Sequence, residues 1–443
     1  MRKFFLCLLL STVSWAQTPE ARIEQIVQSY AVDHKFMGTV LIAKGDHTIF
    51  DKGFGYANLE WQIPNTPDTK FRLGSVTKQF TAASILLLEE RGKLKTDDLV
   101  KKYVPDAPAA WDKITIFHLL THTSGIPSFT GFPEYPEFEK KPATPEELVK
   151  RFKDKPLEFE PGSQFKYSNS GYLLLGYLID KISGEKYPQF VQENIFVPLG
   201  MADSGYDRNA TVIAHRASGY TPTPPNGEIQ NTGYIDMTIP YSAGALYSTT
   251  RDLLKWERGL YGGKVLQAAS LKKMTTPFKD NYGCGLFIST ADGHKKIDHG
   301  GGIEGFNTEV AYYPDDQLAV IVLANLNGGA PNEIANKAAT IEFGGKVELT
   351  SERKEITLKP EELGGLVGTY SLAPGVDLAV TLEGYQLWTQ LTGQGKIQIY
   401  PESPTFFFLK VVDAQLEFAK DSSGKATQVT LHQNGQDVVA KKK

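Results

Sequence analysis

Arg72–Ala83 has the sequence RLGSVTKQFTAA and joins a predicted strand end to a long apolar helix. We expect a tight turn at Gly74 and a helix that begins at Ser75, because apolar residues then recur at helical spacing and Gly92 is placed to end the helix. Ser75 and Lys78 lie three residues apart and so share one face of that helix. The lysine can take the proton of the serine hydroxyl, which would make Ser75 an activated nucleophile.

The Ser-x-x-Lys spacing also has a simpler interpretation, in which Ser75 is a helix N-cap and Lys78 a solvated lysine. Only the context distinguishes Ser75, with its glycine turn before and apolar helix after, so both interpretations stay open on this segment alone. The same spacing recurs at Ser163/Lys166, Ser183/Lys186, Ser270/Lys273, Ser351/Lys354 and Ser422/Lys425.

The composition of the 443 residues is that of a globular chain of one large domain or two, with 41% hydrophobic and 22% charged residues. The net charge is −4 and no long basic run occurs, which argues against nucleic acid as a partner.

Residues 1–16 have the pattern of a signal peptide. Two basic residues precede the apolar segment Phe4–Val13, and Ser14–Ala16 is an acceptable cleavage site. The apolar segment is too short to span a bilayer. With Cys7 removed, only Cys284 remains, so no intramolecular disulfide can form. We therefore predict an exported protein of the bacterial periplasm or the extracellular space, with no transmembrane segment.

The pattern of predicted helices, strands and turns divides the rest of the chain into three parts. Residues 17–345 alternate helices and strands, which predicts an α/β sandwich: an antiparallel sheet flanked by helices, with a helical subdomain. Residues 346–360 form the predicted linker. Residues 361–443 contain seven predicted short strands separated by turns, which indicates a small antiparallel β-barrel. Within the first part, we expect 129–145 to be an exposed loop over a cleft and 219–240 to be loop-like.

Two further stretches contain candidate site residues. Tyr167 and Asn169 are two residues apart in an extended turn, so their side chains point the same way and can supply a phenolic acid or base and a substrate-binding amide. The alternative is a packed tyrosine and an Asn turn. The second stretch, Asp298–Phe306, contains a formal G-x-G-x-x-G. A strand follows it instead of a helix, so we reject a dinucleotide site and expect an open strand edge that a substrate can approach.

In their order and separation, Ser75–Lys78, Tyr167–Asn169 and His299–Gly301 resemble the three motifs of the class C β-lactamase superfamily, which includes D-alanyl-D-alanine carboxypeptidases, D-aminopeptidases and related esterases. The resemblance extends over about residues 20–343, and the C-terminal part resembles the lipocalin-like β-domain often appended to these hydrolases. It implies a β-lactamase/transpeptidase-like fold and a serine hydrolase that needs no cofactor or metal. Its expected partners are small-molecule or peptide substrates, such as peptidoglycan-derived peptides or β-lactams.

The resemblance also implies a role for each motif residue. Ser75 would form the acyl-enzyme and Lys78 and Tyr167 would move the proton, with the identity of the base left open. Asn169, His299 and Gly301 would bind the substrate, while the backbone N–H groups of Ser75 and Gly302 would form the oxyanion hole.

His299 departs from the Lys-Thr-Gly of true class C β-lactamases. A histidine is mostly neutral at pH 7, whereas a permanent cation suits the carboxylate of a β-lactam. This favours a D-peptidase, with an esterase or a weak β-lactamase as alternatives. From the unperturbed pKa of histidine, about 6.5, we expect an inflection of activity in the weakly acidic range.

Other signals are weaker. His118 and His122 are four residues apart, but no Glu follows the first, so the metal-binding H-E-x-x-H motif is incomplete. No G-x-S-x-G occurs, which argues against an α/β-hydrolase. Two function classes remain: a serine hydrolase that turns over its acyl-enzyme, and a penicillin-binding or sensor protein that stays acylated.

Overall fold

The central sheet is built from both ends of the first 345 residues. The computed structural model describes residues 18–223, 227–433 and 436–443; the predicted signal peptide lies outside them. Six antiparallel strands lie in the order β10-β11-β12-β13-β1-β2. Their bounds are β1 Gly38–Lys44, β2 His47–Phe54, β10 Phe287–Ala291, β11 His294–Ile303, β12 Phe306–Tyr313 and β13 Leu318–Ala324.

Shorter strands form small ladders beside this sheet. They are β3 Tyr56–Asn58, β4 Ile63–Pro64, β5 Phe71–Arg72, β6 Gly205–Tyr206, β7 Tyr220–Thr223, β8 Glu228–Asn231 and β9 Leu246–Ser248.

Helices cover both faces of the sheet and form the helical subdomain. They are α1 Pro19–Val32, α2 Thr77–Glu90, α3 Ile116–Leu120, α4 Tyr135–Phe138, α5 Pro145–Lys153, α6 Asn169–Ser183, α7 Tyr187–Val191, α8 Val197–Leu199, α9 Tyr241–Gly244, α10 Thr250–Tyr261, α11 Ala268–Met274, α12 Ala330–Glu342 and α13 Pro360–Gly364. Single 3₁₀ turns lie at Gly74–Val76, Val100–Lys102, Ala109–Trp111, Phe129–Gly131 and Thr350–Glu352, and a π turn at Gln192–Phe196.

The alternation of side chains along the strands separates two cores. Val40 and Ile42 of β1 pack with α1 and α12 on one face of the sheet, whereas Leu41 between them packs with α2 and the helical subdomain on the other. Because β13 and the middle of β1 are buried on both faces, all residues of β13 and the run Val40–Ala43 of β1 are apolar. The rigid sheet and the buried α2 fix the position of Ser75.

The C-terminal region is a closed eight-stranded antiparallel barrel, which confirms the predicted all-β fold. Its strands are β14 Gly368–Ala373, β15 Val376–Glu383, β16 Gln386–Leu391, β17 Lys396–Pro401, β18 Phe406–Phe408, β19 Ala414–Lys420, β20 Ala426–Gln433 and β21 Gln436–Lys442. The sequence predicted seven strands and missed β21, whose last residues are lysines. That strand pairs with both β20 and β14 and so closes the barrel.

Two local predictions were wrong in detail. The segment 219–240 is not simply a loop, because β7 and β8 pair within it. The segment 129–145 does border a cleft, but it is packed: it contains α4, and Phe129 and Phe138 are buried. No helix within the described ranges is long and apolar enough to cross a membrane.

Candidate active site

The turn before Ser75 depends on two glycines. Gly74 has a φ of +53°, and a Cβ there would lie only 2.8 Å from the backbone N of Gly302. A Cβ at Gly301 would lie 2.0 Å from the carbonyl oxygen of Leu73. Strand β11 can therefore come this close to the turn only because residue 301 is glycine. The backbone amide of Gly302 therefore lies directly at the Ser75 turn. Instead of starting at Ser75, the α-helix starts at Thr77, after one 3₁₀ turn.

Lys78 is fully buried and surrounded by oxygen acceptors. Its Nζ lies 2.9 Å from Ser75 Oγ, 2.9 Å from Asn169 Oδ1 and 2.9 Å from the carbonyl oxygen of Ala243. It also lies 4.8 Å from the centre of the Tyr167 ring. Among the described residues no carboxylate forms an ion pair with it, and burial lowers the pKa of Lys78 well below its usual value.

Asn169 is held at the first position of α6 by two hydroxyl groups of the neighbouring loop. Its backbone N–H donates to Ser128 Oγ at 3.1 Å, and its Nδ2 donates to Thr130 Oγ1 at 3.1 Å. The second bond fixes the amide so that Oδ1, and not Nδ2, faces Lys78.

The Tyr167 hydroxyl is buried and makes no hydrogen bond of normal length to the described residues. Burial raises the pKa of Tyr167 well above its usual value, and the nearby Ser75 hydroxyl lowers that pKa only in part. The ring packs on His122, with 4.2 Å between ring centres. Tyr167 is therefore a neutral phenol beside the Ser75 hydroxyl at neutral pH.

Both ring nitrogens of His299 have protein partners. Nδ1 lies 2.6 Å from the carbonyl oxygen of Gly300, which can only accept, so Nδ1 donates. Nε2 lies 3.1 Å from the Tyr282 hydroxyl and accepts from it when the ring is neutral. Burial, assisted by the charge of Lys78, lowers the pKa of His299 to about 4. With a pKa of about 4, the ring would place an inflection of activity at a lower pH than the weakly acidic range expected from an unperturbed imidazole.

Ser75 lies between two pockets. One, of about 210 Å³, is lined by Ser75, Asn169, Gly302 and mainly apolar or aromatic neighbours, together with Glu304. The other, of about 400 Å³, is lined by Ser75, Tyr167 and the edge His299–Gly302. Strand β10 pairs with β11 only as far as Asp298, and within the described chain no other strand covers that edge beyond it. The open strand edge expected from the glycines is therefore present beside Ser75.

The structure thus brings Ser75, Lys78, Tyr167, Asn169 and the 299–302 edge into one cleft. Sequence reasoning missed three residues that support them: Ala243, whose carbonyl oxygen contacts Lys78; Thr130, which orients Asn169; and Tyr282, which bonds His299. A backbone carbonyl leaves no signal in a sequence, and no spacing rule linked Thr130 or Tyr282 to its partner.

His118 and His122 do not converge on a common point. His118 Nδ1 accepts from the N–H of Thr115, while His122 Nδ1 accepts from the N–H of Ser168. In the part of the chain that is described, no cluster of three or more His, Cys, Asp or Glu is arranged to bind a metal ion.

Comparison with known proteins agrees with this geometry. Residues 23–344 match the family model described as Beta-lactamase, and residues 352–442 match the one described as Domain of unknown function (DUF3471). Penicillin-binding protein 4* of Bacillus subtilis (strain 168) is 30% identical over 446 residues, covering 95% of this chain and 98% of that protein.

Solved structures give the same result. An octameric penicillin-binding protein homologue from Pyrococcus abyssi is similar with a TM-score of 0.68 and 28% identity, covering 95% of this chain and 99% of that one. The D-amino acid amidase of Ochrobactrum anthropi SV3, complexed with D-phenylalanine, is similar with a TM-score of 0.65 and 26% identity, covering 73% and 99%. The chain belongs to the β-lactamase/transpeptidase-like family of serine hydrolases.

Proposed function

We propose that the protein hydrolyses amide bonds in peptides or amides that contain D-amino acids, through an acyl-enzyme on Ser75 with Lys78 as the general base. The observation that supports the assignment of the base is the environment of the Lys78 Nζ. Asn169 Oδ1 and the Ala243 carbonyl oxygen can only accept hydrogen bonds, so they take the two N–H groups of a neutral amine. The lone pair then points at the third neighbour, the Ser75 hydroxyl.

In this mechanism the Ser75 proton passes to Lys78 as Oγ attacks the substrate carbonyl carbon. The backbone N–H groups of Ser75 and Gly302 stabilise the negative charge that develops on the carbonyl oxygen. The proton then returns to the leaving nitrogen, with the neutral Tyr167 phenol beside Ser75 able to relay it, and the C–N bond breaks. In the second half of the reaction a water molecule gives its proton to Lys78 and attacks the acyl carbon. The proton then passes to Ser75 Oγ as the acyl C–O bond breaks, which releases the carboxylic acid and restores Ser75.

The nature of the relatives and the state of His299 support an amide substrate. One similar structure is a D-amino acid amidase with D-phenylalanine bound. With a pKa of about 4, His299 is neutral at pH 7 and supplies no permanent cation for the carboxylate of a β-lactam. We therefore rank D-amino-acid amides and peptides above β-lactams, with esters accepted through the same acyl-enzyme.

The decisive experiment is labelling of Ser75 by a fluorophosphonate probe, followed by intact mass. We expect Ser75→Ala to abolish both the mass increase and hydrolysis of D-phenylalanine p-nitroanilide. Ser163→Ala is the matched control, because Ser163 has the same spacing to Lys166 but lies on the surface. Labelling that persists in Ser75→Ala and maps to another serine would refute the assignment.

Turnover separates a hydrolase from a protein that stays acylated. We expect many equivalents of p-nitroaniline to be released for each wild-type chain, with little acyl-enzyme left when substrate is exhausted. A burst of one equivalent and a stable adduct would indicate a penicillin-binding or sensor function instead.

A further inference from the structure

The lining of the smaller pocket beside Ser75 includes a glutamate, one of whose carboxylate oxygens has no hydrogen-bond partner among the described residues. Glu304 lies at the turn between β11 and β12, next to the pair Ile303 and Phe306. It lines the 210 Å³ pocket together with Ser75. Its Oε2 is buried and accepts no hydrogen bond from any residue that the structure describes. A buried carboxylate oxygen in this state is costly unless a ligand satisfies it.

The charged residues that act on Glu304 do not neutralise its carboxylate. Arg72 is the basic residue that acts on Glu304, but its guanidinium already donates to the buried Asp207 at 2.7 Å. Glu139 adds a second negative charge nearby. Burial, with repulsion from Glu139, raises the pKa of Glu304, and a cation bound in the pocket would reverse that shift.

The remaining walls of the pocket suit an organic cation better than a metal ion. Apart from Glu304 they are mainly apolar or aromatic and include Phe129, Tyr135, Ile235, Pro240 and Ile303. The further polar groups are the hydroxyls of Ser75, Thr130 and Tyr135 and the amide of Asn169. One acidic group among apolar walls matches an ammonium group attached to a hydrophobic side chain.

We infer that Glu304 is a specificity-determining residue that binds the free ammonium group of the substrate whose carbonyl carbon Ser75 attacks. The inference rests on the proposed acyl-enzyme function and adds its substrate class: amino-acid amides or peptides with an unblocked amino group. Substrates with a carboxylate at that position would be repelled by the same group.

The test compares D-phenylalanine p-nitroanilide with its N-acetyl derivative, and both L enantiomers in parallel. We expect wild type to prefer the free amine, and Glu304→Gln to lower the ratio of kcat/KM for free over acetylated substrate by about tenfold to a hundredfold, the range of one charge-assisted hydrogen bond. Glu139→Gln is the matched control, since it removes an equal charge outside the pocket lining. We expect it to change that ratio by less than about threefold, in a salt-dependent manner.

A second measurement does not require turnover: protection of Ser75 against fluorophosphonate labelling by D-phenylalaninamide and by its N-acetyl form. Protection by the free amine that is weakened in Glu304→Gln supports the inference. Equal protection by both forms, or equal loss of both substrates in a folded Glu304→Gln, overturns it while the hydrolase assignment stands. Absence of any labelling of wild-type Ser75 would instead refute the proposed function, and the Glu304 inference with it.

Discussion

Two lysines of this molecule are similarly buried and each donates to an asparagine, but their pKa values are shifted in opposite directions. Lys78, in the cleft, and Lys296, on β11 beneath α12, are 0% and 5% exposed. Each donates to an asparagine Oδ1, Lys78 to Asn169 at 2.9 Å and Lys296 to Asn336 at 3.1 Å. Yet the pKa of Lys78 is lowered well below its usual value, whereas the pKa of Lys296 is raised.

The pKa values of the two lysines shift in opposite directions because carboxylates of the described residues lie close to Lys296 but not to Lys78. Burial lowers the pKa of both lysines, but Lys296 Nζ lies 3.1 Å from Asp298 and 3.7 Å from Glu309, and their attraction outweighs burial. Lys78 has no such neighbour in the described chain. Carboxylates beside a buried lysine thus favour its charged form, whereas burial without a carboxylate favours the neutral amine that the proposed general base requires.

The largest expected effect comes from exchanging each lysine for methionine, which has a similar length and no charge. We expect Lys78→Met to slow acylation of Ser75 by about 10²- to 10⁴-fold, the usual contribution of a general base. Lys296→Met should leave the acylation rate of folded protein within about threefold of wild type. Stopped-flow labelling with the fluorophosphonate measures both rates, and equal rates in the two variants would contradict the comparison.

The two lysine-to-methionine variants should rank in the opposite order in stability, with Lys296→Met the more strongly affected. Lys296→Met leaves Asp298 partly buried without its cation, and breaking a buried ion pair in this way costs about 3–5 kcal/mol. Lys78→Met removes no ion pair, so its loss of unfolding free energy should be smaller. Urea titration of the two variants measures this. If Lys78→Met proved the more destabilising, Lys78 would be a charged structural residue and not the base.

How much of this could be predicted depends on the kind of information involved. Ser75, Lys78, Tyr167 and Asn169 were predicted as site residues from the resemblance of their motifs to those of a known superfamily, and the structure brings them together. The low pKa of Lys78 could not be predicted, because it depends on burial under the backbone of α9, 165 residues later in the chain.

The fold shows the same limit. The division into an α/β part and an all-β part could be predicted, because elements such as α6 and β13 carry long runs of apolar residues that are buried in the fold. The strand β21 was missed because its lysine-rich end lacks an apolar alternation, and its pairing with β14 is a long-range contact. The charge of Lys296 is visible in the sequence, but nothing there indicates that Asn336 of α12 bonds it in a buried position.

A smaller effect is expected if a carboxylate is added to the cleft. Asn169→Asp places one about 2.9 Å from Lys78 Nζ, while Thr130 can still donate to it. Its attraction should raise the pKa of Lys78, so the acid limb of the pH profile of acylation moves at least one unit upward. Acylation at pH 7 then falls about tenfold per unit and recovers at alkaline pH. Asn336→Asp, which adds a carboxylate 3.1 Å from Lys296 Nζ, is the control and should leave the profile unchanged. A rate that falls equally at every pH would mean that Asn169 serves only to bind substrate.

The smallest effect concerns His299, which lies between the two lysine sites. The charge of Lys78 lowers the pKa of His299, and the charge of Asp298 raises it, with burial giving the largest contribution and a net pKa of about 4. Between pH 4 and about 6.5 the unfolded chain binds a proton at this residue that the folded chain does not. Unfolding free energy should therefore fall as the pH decreases through this window, by at most about 1.4 kcal/mol per pH unit from this group.

Because burial also lowers the pKa of His122, the measurement must be a difference between wild type and His299→Gln. We expect the free energy of unfolding of wild type minus that of His299→Gln to be constant above about pH 6.5. It should fall as the pH decreases from there to about pH 4 and be constant again below. Asp298→Asn should extend the window to lower pH, since it removes the charge that favours the protonated ring. Lys78→Met should narrow the window by removing the opposing charge. A difference that is constant over the whole range would show that folding does not change the pKa of His299 and would contradict the lowered value.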